Sequence, residues 1–122
     1  GVLLMNLYIT EVKIKDGQFY GYTEESIENY EATGRMIVDS DQHSFIYLLD
    51  NGKSFDNLHF VQETWGMLHE SFEKHPIIIN DTLELIEFKD EMNDLLWNIK
   101  GNDNYGKDFH EAVEETFKLK DE

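Results

Sequence analysis

HSFIYLLDNGKSFDNLHFV, residues 43–61, decides the fold class. It reads as two strands, His43 to Leu49 and Ser54 to Val61, flanking Asp50-Asn51-Gly52-Lys53. Asn-Gly is a favoured two-residue hairpin turn, because both central positions need positive φ. Such a turn sets Asp50 across from Lys53. Phe45, Tyr47 and Leu49 then point one way with Leu58 and Phe60, and Ile46, Leu48 and Phe55 point the other way. Both faces carry apolar groups, which places this pair inside a sheet.

Working outward towards the N-terminus, Tyr8, Thr10, Val12 and Ile14 alternate with Ile9, Glu11, Lys13 and Lys15, the period of a half-buried strand. Asp16-Gly17 follows as a second tight turn. Its register pairs Lys15 with Gln18, Ile14 with Phe19 and Val12 with Gly21, and sets Lys13 and Glu11 opposite Tyr20 and Tyr22. Arg35 to Val38 reads as a further short strand, turned by residues 39–42. TEESIENYEATG, residues 23–34, fits either an edge strand or a short helix.

Towards the C-terminus the period changes. Trp65, Leu68 and Phe72 recur at helical spacing from Gln62 to Lys74, and His75-Pro76 ends that helix. Ile77 to Ile79 reads as a buried strand. Leu83 to Glu87 suits either its hairpin partner, which we favour, or the start of one long helix. Phe88, Met92, Leu95, Leu96 and Ile99 form an apolar helical stripe, and a last helix from Gly106 to Leu119 buries Phe109, Val113 and Phe117. A run of strands followed by helices defines an α+β protein: an antiparallel sheet of about five to seven strands in the N-terminal half and centre, with three helices mainly in the C-terminal half. The 122 residues suit a single domain. Met5 reads as the natural start, with residues 1–4 an added remnant or an upstream extension.

Charge is the strongest compositional feature. Twenty-six acidic against ten basic residues leave −16, of which the second half carries −10. Such a surface repels nucleic acid and anionic lipid and attracts cations or a basic protein. No apolar run reaches the roughly 20 residues of a membrane helix. There is no cysteine, hence no disulfide or thiolate metal site, which suits a reducing cytoplasm.

Motifs for chemistry are thin. GNDNYG, residues 101–106, fails as a calcium loop: with Gly106 at position six, positions one, five and twelve are Gly101, Tyr105 and Ala112. It fails as a phosphate cradle because no strand precedes it and Asp103 and Asp108 would repel the anion. It reads as a turn between helices, with Gly101 just past the end of the first and Tyr105 packed into the junction. His69-Glu70 lacks the second histidine of HExxH, and His110–Glu114 at i, i+4 lacks a third ligand. We therefore expect no metal, no cofactor and no catalytic residue. The remaining feature is acidic: Glu87, Asp90, Glu91 and Asp94 on one helix, and Glu111, Glu114 and Glu115 on the next. Lys107–Glu111 and Glu114–Lys118 are spaced to pair and to neutralise part of the second group.

VDSD at residues 38–41, ETWGMLHE at 63–70 and IKGNDNYGK at 99–107 resemble the uncharacterised YjbL-like family of staphylococci and bacilli, a family of unknown function, over nearly the whole chain from Met5 onward. The resemblance implies a cytoplasmic protein of Gram-positive bacteria and carries no site residues. The leading expectation is a non-catalytic binding or regulatory module whose acidic surface engages a basic protein partner, with a DNA mimic as one version of it. The alternative is a small enzyme, a hydrolase for example, with a pocket of His43, His59 or His69 and carboxylates. A homodimer through a strand edge or aromatic patch is a third arrangement.

Overall fold

The computed structural model describes residues 5–119; the expectation for residues 1–4 lies outside them. Seven strands and three helices follow in the order β1 (Asn6–Lys15), β2 (Gln18–Thr23), β3 (Glu31–Asp39), β4 (Ser44–Asp50), β5 (Phe55–Val61), α1 (Trp65–Ser71), β6 (Ile77–Ile79), β7 (Leu83–Glu84), α2 (Phe88–Ile99) and α3 (Lys107–Thr116). All strands join one sheet in the order β3-β4-β5-β1-β2-β6-β7. The protein is α+β, but the sheet is mixed. β1 runs parallel to β5 and β2 parallel to β6, which corrects the antiparallel expectation. Hairpin turns make only antiparallel neighbours. The parallel pairs form because β5 and β6 return from distant parts of the chain to flank the first hairpin.

That first hairpin has the predicted register throughout, from Lys15↔Gln18 to Glu11↔Tyr22. Asp16 and Gly17 both take positive φ, 52° and 76°, as the turn requires. The β4–β5 turn differs. Asp50 faces Phe55, not Lys53. Asn51 is the reason: its side-chain oxygen accepts the backbone N–H groups of Lys53 and Ser54 at 2.9 Å each, and this Asx-type capping holds a four-residue turn. The pairing shifts by two residues, so the faces stay as expected. Phe45 meets Phe60 and Tyr47 meets Leu58 on the core side, while Ile46 meets His59 on the other.

Residues 24–30 form a loop pinned by buried Ile27, and residues 31–34 open the edge strand β3. The helix expected from Gln62 to Lys74 is shorter, a 3-10 turn followed by α1. Its apolar face is as expected: Trp65, Leu68 and Phe72 are buried, and the Trp65 indole donates to the Phe60 carbonyl at 2.9 Å. Leu83–Glu84 is a strand paired with β6, and α2 begins at Phe88. Gly101 takes φ 67° just past α2, and Asp103–Tyr105 forms one 3-10 turn before α3. GNDNYG is thus a helix–helix turn, with half-buried Tyr105 tilted against Phe109 at 6.1 Å between ring centres.

One hydrophobic core runs from Leu7, Ile9 and Phe19 through Phe45, Tyr47 and Phe60 to Met92, Ile99, Phe109, Val113 and Phe117. The sheet rolls until its end strands β3 and β7 touch. Side chains bridge the gap where backbone pairing stops. The buried Tyr47 hydroxyl accepts the Gly34 N–H and donates to the Ile86 carbonyl, both at 2.8 Å. Gly34 has φ 77°, and a Cβ there would lie 3.3 Å from the Glu87 side chain, so both its conformation and its surroundings favour glycine.

Candidate functional site

The seven carboxylates singled out in the sequence divide into two kinds. Glu87, Asp90 and Asp94 on or just before α2, and Glu111 and Glu115 on α3, are exposed. Among the described residues these five make no ion pair. Glu91 and Glu114 turn inward instead. Glu91 is half-buried and accepts the Met36 N–H of β3 at 2.8 Å. Glu114 is buried, and its Oε2 accepts the Gly101 N–H at 2.7 Å, capping the turn that links α2 to α3.

The expected Lys107–Glu111 and Glu114–Lys118 pairs do not form. Glu114 has turned towards Gly101 and His110, and Lys118 lies past the end of α3 at φ 57°. His110 Nδ1 lies 3.4 Å from Glu114 Oε1, and its Nε2 lies 2.9 Å from Asp103 Oδ1. The two carboxylates sit at opposite ring nitrogens, so they do not converge on a point where a cation could rest. Among the described residues no group of three or more histidines and carboxylates is placed to hold a metal ion.

The other histidines are dispersed. His43 lies 3.1 Å from Gln62 Oε1, with its ring parallel to Trp65 at 6.3 Å and edge-on to Phe109 at 5.6 Å. It lines a shallow depression with Ser40, Asp41 and residues 105–109. His69 packs edge-on against Phe117 at 5.7 Å. His59 lies on the opposite face of the sheet, where sequence reading missed an arrangement: Ser44 Oγ is 2.9 Å from His59 Nδ1, and Asn6 Oδ1 is 2.9 Å from His59 Nε2. Asn6 offers an oxygen acceptor, so Nε2 carries the proton and Nδ1 faces the serine with its lone pair. Burial pushes the imidazole below its usual range, against the pull of Asp39.

This has the order of a Ser-His-Asn triad without its access. Ser44 is 0% and His59 1% exposed, and Tyr8 stacks on the imidazole at 4.6 Å. A nucleophile with no room for an acyl group beside it is a structural hydroxyl. The signal that could have found the cluster is strand parity: with the observed register, Ser44, Ile46 and His59 share one face, which alternation alone allows.

A second buried polar knot joins the start of β1 to the β4–β5 turn. Asp56 accepts from the Tyr30 hydroxyl at 2.6 Å, the Met5 N–H at 3.0 Å and the Asn51 amide at 3.2 Å. Burial alone would raise its carboxyl. The hydrogen bonds outweigh burial and hold it below its usual value.

A concavity of about 440 Å³ lies between α1, α2 and the residues that follow α1, α2 and α3. Phe72, Leu96, Phe117 and Leu119 give it an apolar lining, and Trp97 stands at its rim, 78% exposed.

These features define a class: an α+β protein with a rolled mixed sheet, an acidic helical flank, and histidines that do not meet. Within that class the chain belongs to the UPF0738 family, a family of unknown function whose model matches residues 7–117. It is 57% identical over 115 residues to the UPF0738 proteins of Staphylococcus aureus strains Newman and USA300, covering 94% of this chain and 99% of theirs. The protein of the bovine strain RF122 is 56% identical over the same length. No solved structure matches the chain. Among the described residues no helix is long and apolar enough to cross a membrane.

Proposed function

We propose that this protein is a non-catalytic binding module of the cytoplasm whose acidic helical flank engages a basic protein partner. The observation that carries the reading is that Glu87, Asp90, Asp94, Glu111 and Glu115 stand exposed without an ion pair among the described residues. Isolated surface carboxylates in a chain of charge −16 repel one another, and a cationic surface relieves that repulsion on docking. His43, His59 and His69 do not converge on one concave site, which supports a binder over a hydrolase. The cytoplasmic part of the reading is supported only by composition, a chain without cysteine suiting a reducing compartment. Glu91 and Glu114 turn inward to backbone donors, so the flank is carried by the other five carboxylates, and a DNA mimic is one version of the same reading.

The test is affinity capture from a Gram-positive bacterial lysate treated with nuclease, at low and at high salt. A stoichiometric basic protein held at low salt, released at high salt, and lost from a Glu87→Lys, Asp90→Lys, Asp94→Lys variant is the expected result. Absence of any salt-sensitive partner, or capture unchanged by charge reversal, overturns the reading.

A further inference from the structure

Among the described residues Trp97 is the one large apolar side chain that the fold leaves almost wholly in water. It is 78% exposed, while the next most exposed, Met5, is at 49%. The other tryptophan, Trp65, is fully buried with its indole N–H satisfied. Among the described residues the Trp97 ring packs against no other aromatic ring. Its place on α2 gives it two different neighbours. On one side, Asp90, Asp94 and Trp97 follow at i, i+4, i+7, so both carboxylates share its exposed helical face. On the other side, Asn93, Leu96 and Trp97 form the α2 wall of the cleft of about 440 Å³, whose apolar floor is rimmed by His69, Glu73, Lys100 and Lys118. That volume lies within the roughly 300–1,000 Å³ of small-ligand pockets and suits one or two bulky side chains.

We propose that Trp97 is the anchor of a docking groove for a basic amphipathic segment of a protein partner. The segment's apolar side enters the cleft between Trp97 and half-buried Leu119, above a floor of buried Phe72, Leu96 and Phe117. Its lysines or arginines lie along Asp90 and Asp94, with one cation over the indole face. Charge complementarity fixes the occupant: the two carboxylates and the indole quadrupole all favour a cation on that side. Lys100 and Lys118 line the cleft itself, so cations of the segment keep to the carboxylate side and its apolar groups to the cleft. A second copy of this chain is a poor occupant, since the copies share a charge of −16. The inference rests on the binding reading above and adds the aromatic anchor and the chemistry of the segment.

The test uses the full chain and a fluorescein-labelled Lys/Leu peptide patterned at helical period, followed by anisotropy at two salt concentrations. Two control peptides are a Glu/Leu peptide of the same pattern and a Lys/Leu peptide of scrambled pattern. Saturable binding of the patterned basic peptide alone is expected. Trp97→Ala should raise its Kd roughly tenfold or more, as loss of a buried aromatic anchor does. Asp90→Asn with Asp94→Asn should raise it several-fold and flatten its salt dependence. The near-UV signal of buried Trp65 verifies that the Trp97→Ala variant is folded. Equal binding of the scrambled peptide, no binding to the wild type, or an unchanged Kd in Trp97→Ala overturns the anchor. If a basic partner is still captured from lysate by Trp97→Ala, the acidic flank stands and the anchor falls. If charge reversal leaves capture untouched, the underlying reading falls as well.

Discussion

The carboxylate of Glu91 on α2 accepts the backbone N–H of Met36 on β3 at 2.8 Å. Beside the bulge between Ala32 and Met36, it takes a donor that regular pairing along the edge strand does not serve. Glu91→Ala should lower stability by about 1–3 kcal/mol, because an orphaned, half-buried donor costs more than the bond it loses. Glu91→Gln keeps an oxygen acceptor and should lose less. Urea unfolding of both, beside the exposed Asp94→Ala, decides it: equal midpoints for all three would mean that the bond contributes nothing.

Tyr47→Phe should be the more damaging change, although the ring stays. Removing one oxygen strands both the Gly34 N–H and the Ile86 carbonyl, each at a cost of about 1–3 kcal/mol. Faster hydrogen exchange at Gly34 and loosened contact between β3 and β7 should accompany the loss. Stability within a few tenths of a kcal/mol of wild type would show that water replaces the hydroxyl.

Tyrosine ionisation offers a reading without mutation. Burial, and for Tyr30 its bond to Asp56, push Tyr30 and Tyr47 up to about 12. Of the six tyrosines, these two should form tyrosinate about two pH units after an unperturbed side chain of pKa near 10. The sign for stability follows. A pKa raised on folding gives stability that is fully present below about 10 and is lost as pH rises towards 12. A single ultraviolet titration step for all six would contradict the buried placement.

His59 works in the opposite sense. Its folded pKa lies below the unfolded value near 6.5, so the stability it lends is present above that value and lost as pH falls through the folded pKa. His59→Phe should flatten the stability profile on the acid side of neutrality. A fluorophosphonate probe should leave Ser44 unmodified, since its hydroxyl is fully buried. Covalent labelling at Ser44 would reopen the hydrolase reading.

The sequence was legible where a turn fixed its own geometry. Asp16-Gly17 admits one compact hairpin, and every predicted pair of β1 and β2 is found. At Asn51-Gly52 the same motif misled, because a side chain able to accept two N–H groups favours the longer turn. Parity survived, and so did the division into core and outer face. The parallel pairs of β1 with β5 and β2 with β6 leave no local trace; they record which distant strands fit beside the hairpin. In the acidic flank, carboxylates at helical spacing look alike whether they face water or a backbone N–H. Only the packing turns Glu91 towards Met36 and Glu114 towards Gly101.

Strand order also has a consequence for synthesis. β1 is made first yet occupies the middle of the sheet, between β2 and a β5 that begins at Phe55. On the ribosome the first hairpin must wait with both flanks unpaired, β1 until β5 has emerged and β2 until β6, which begins at Ile77. The β3–β4–β5 meander, joined only by short turns, can assemble before it. Every chain therefore passes through a stage in which Leu7 and Ile9 have left the exit tunnel and have no core to enter. The gatekeepers on that strand are its own charged neighbours, Glu11, Lys13 and Lys15.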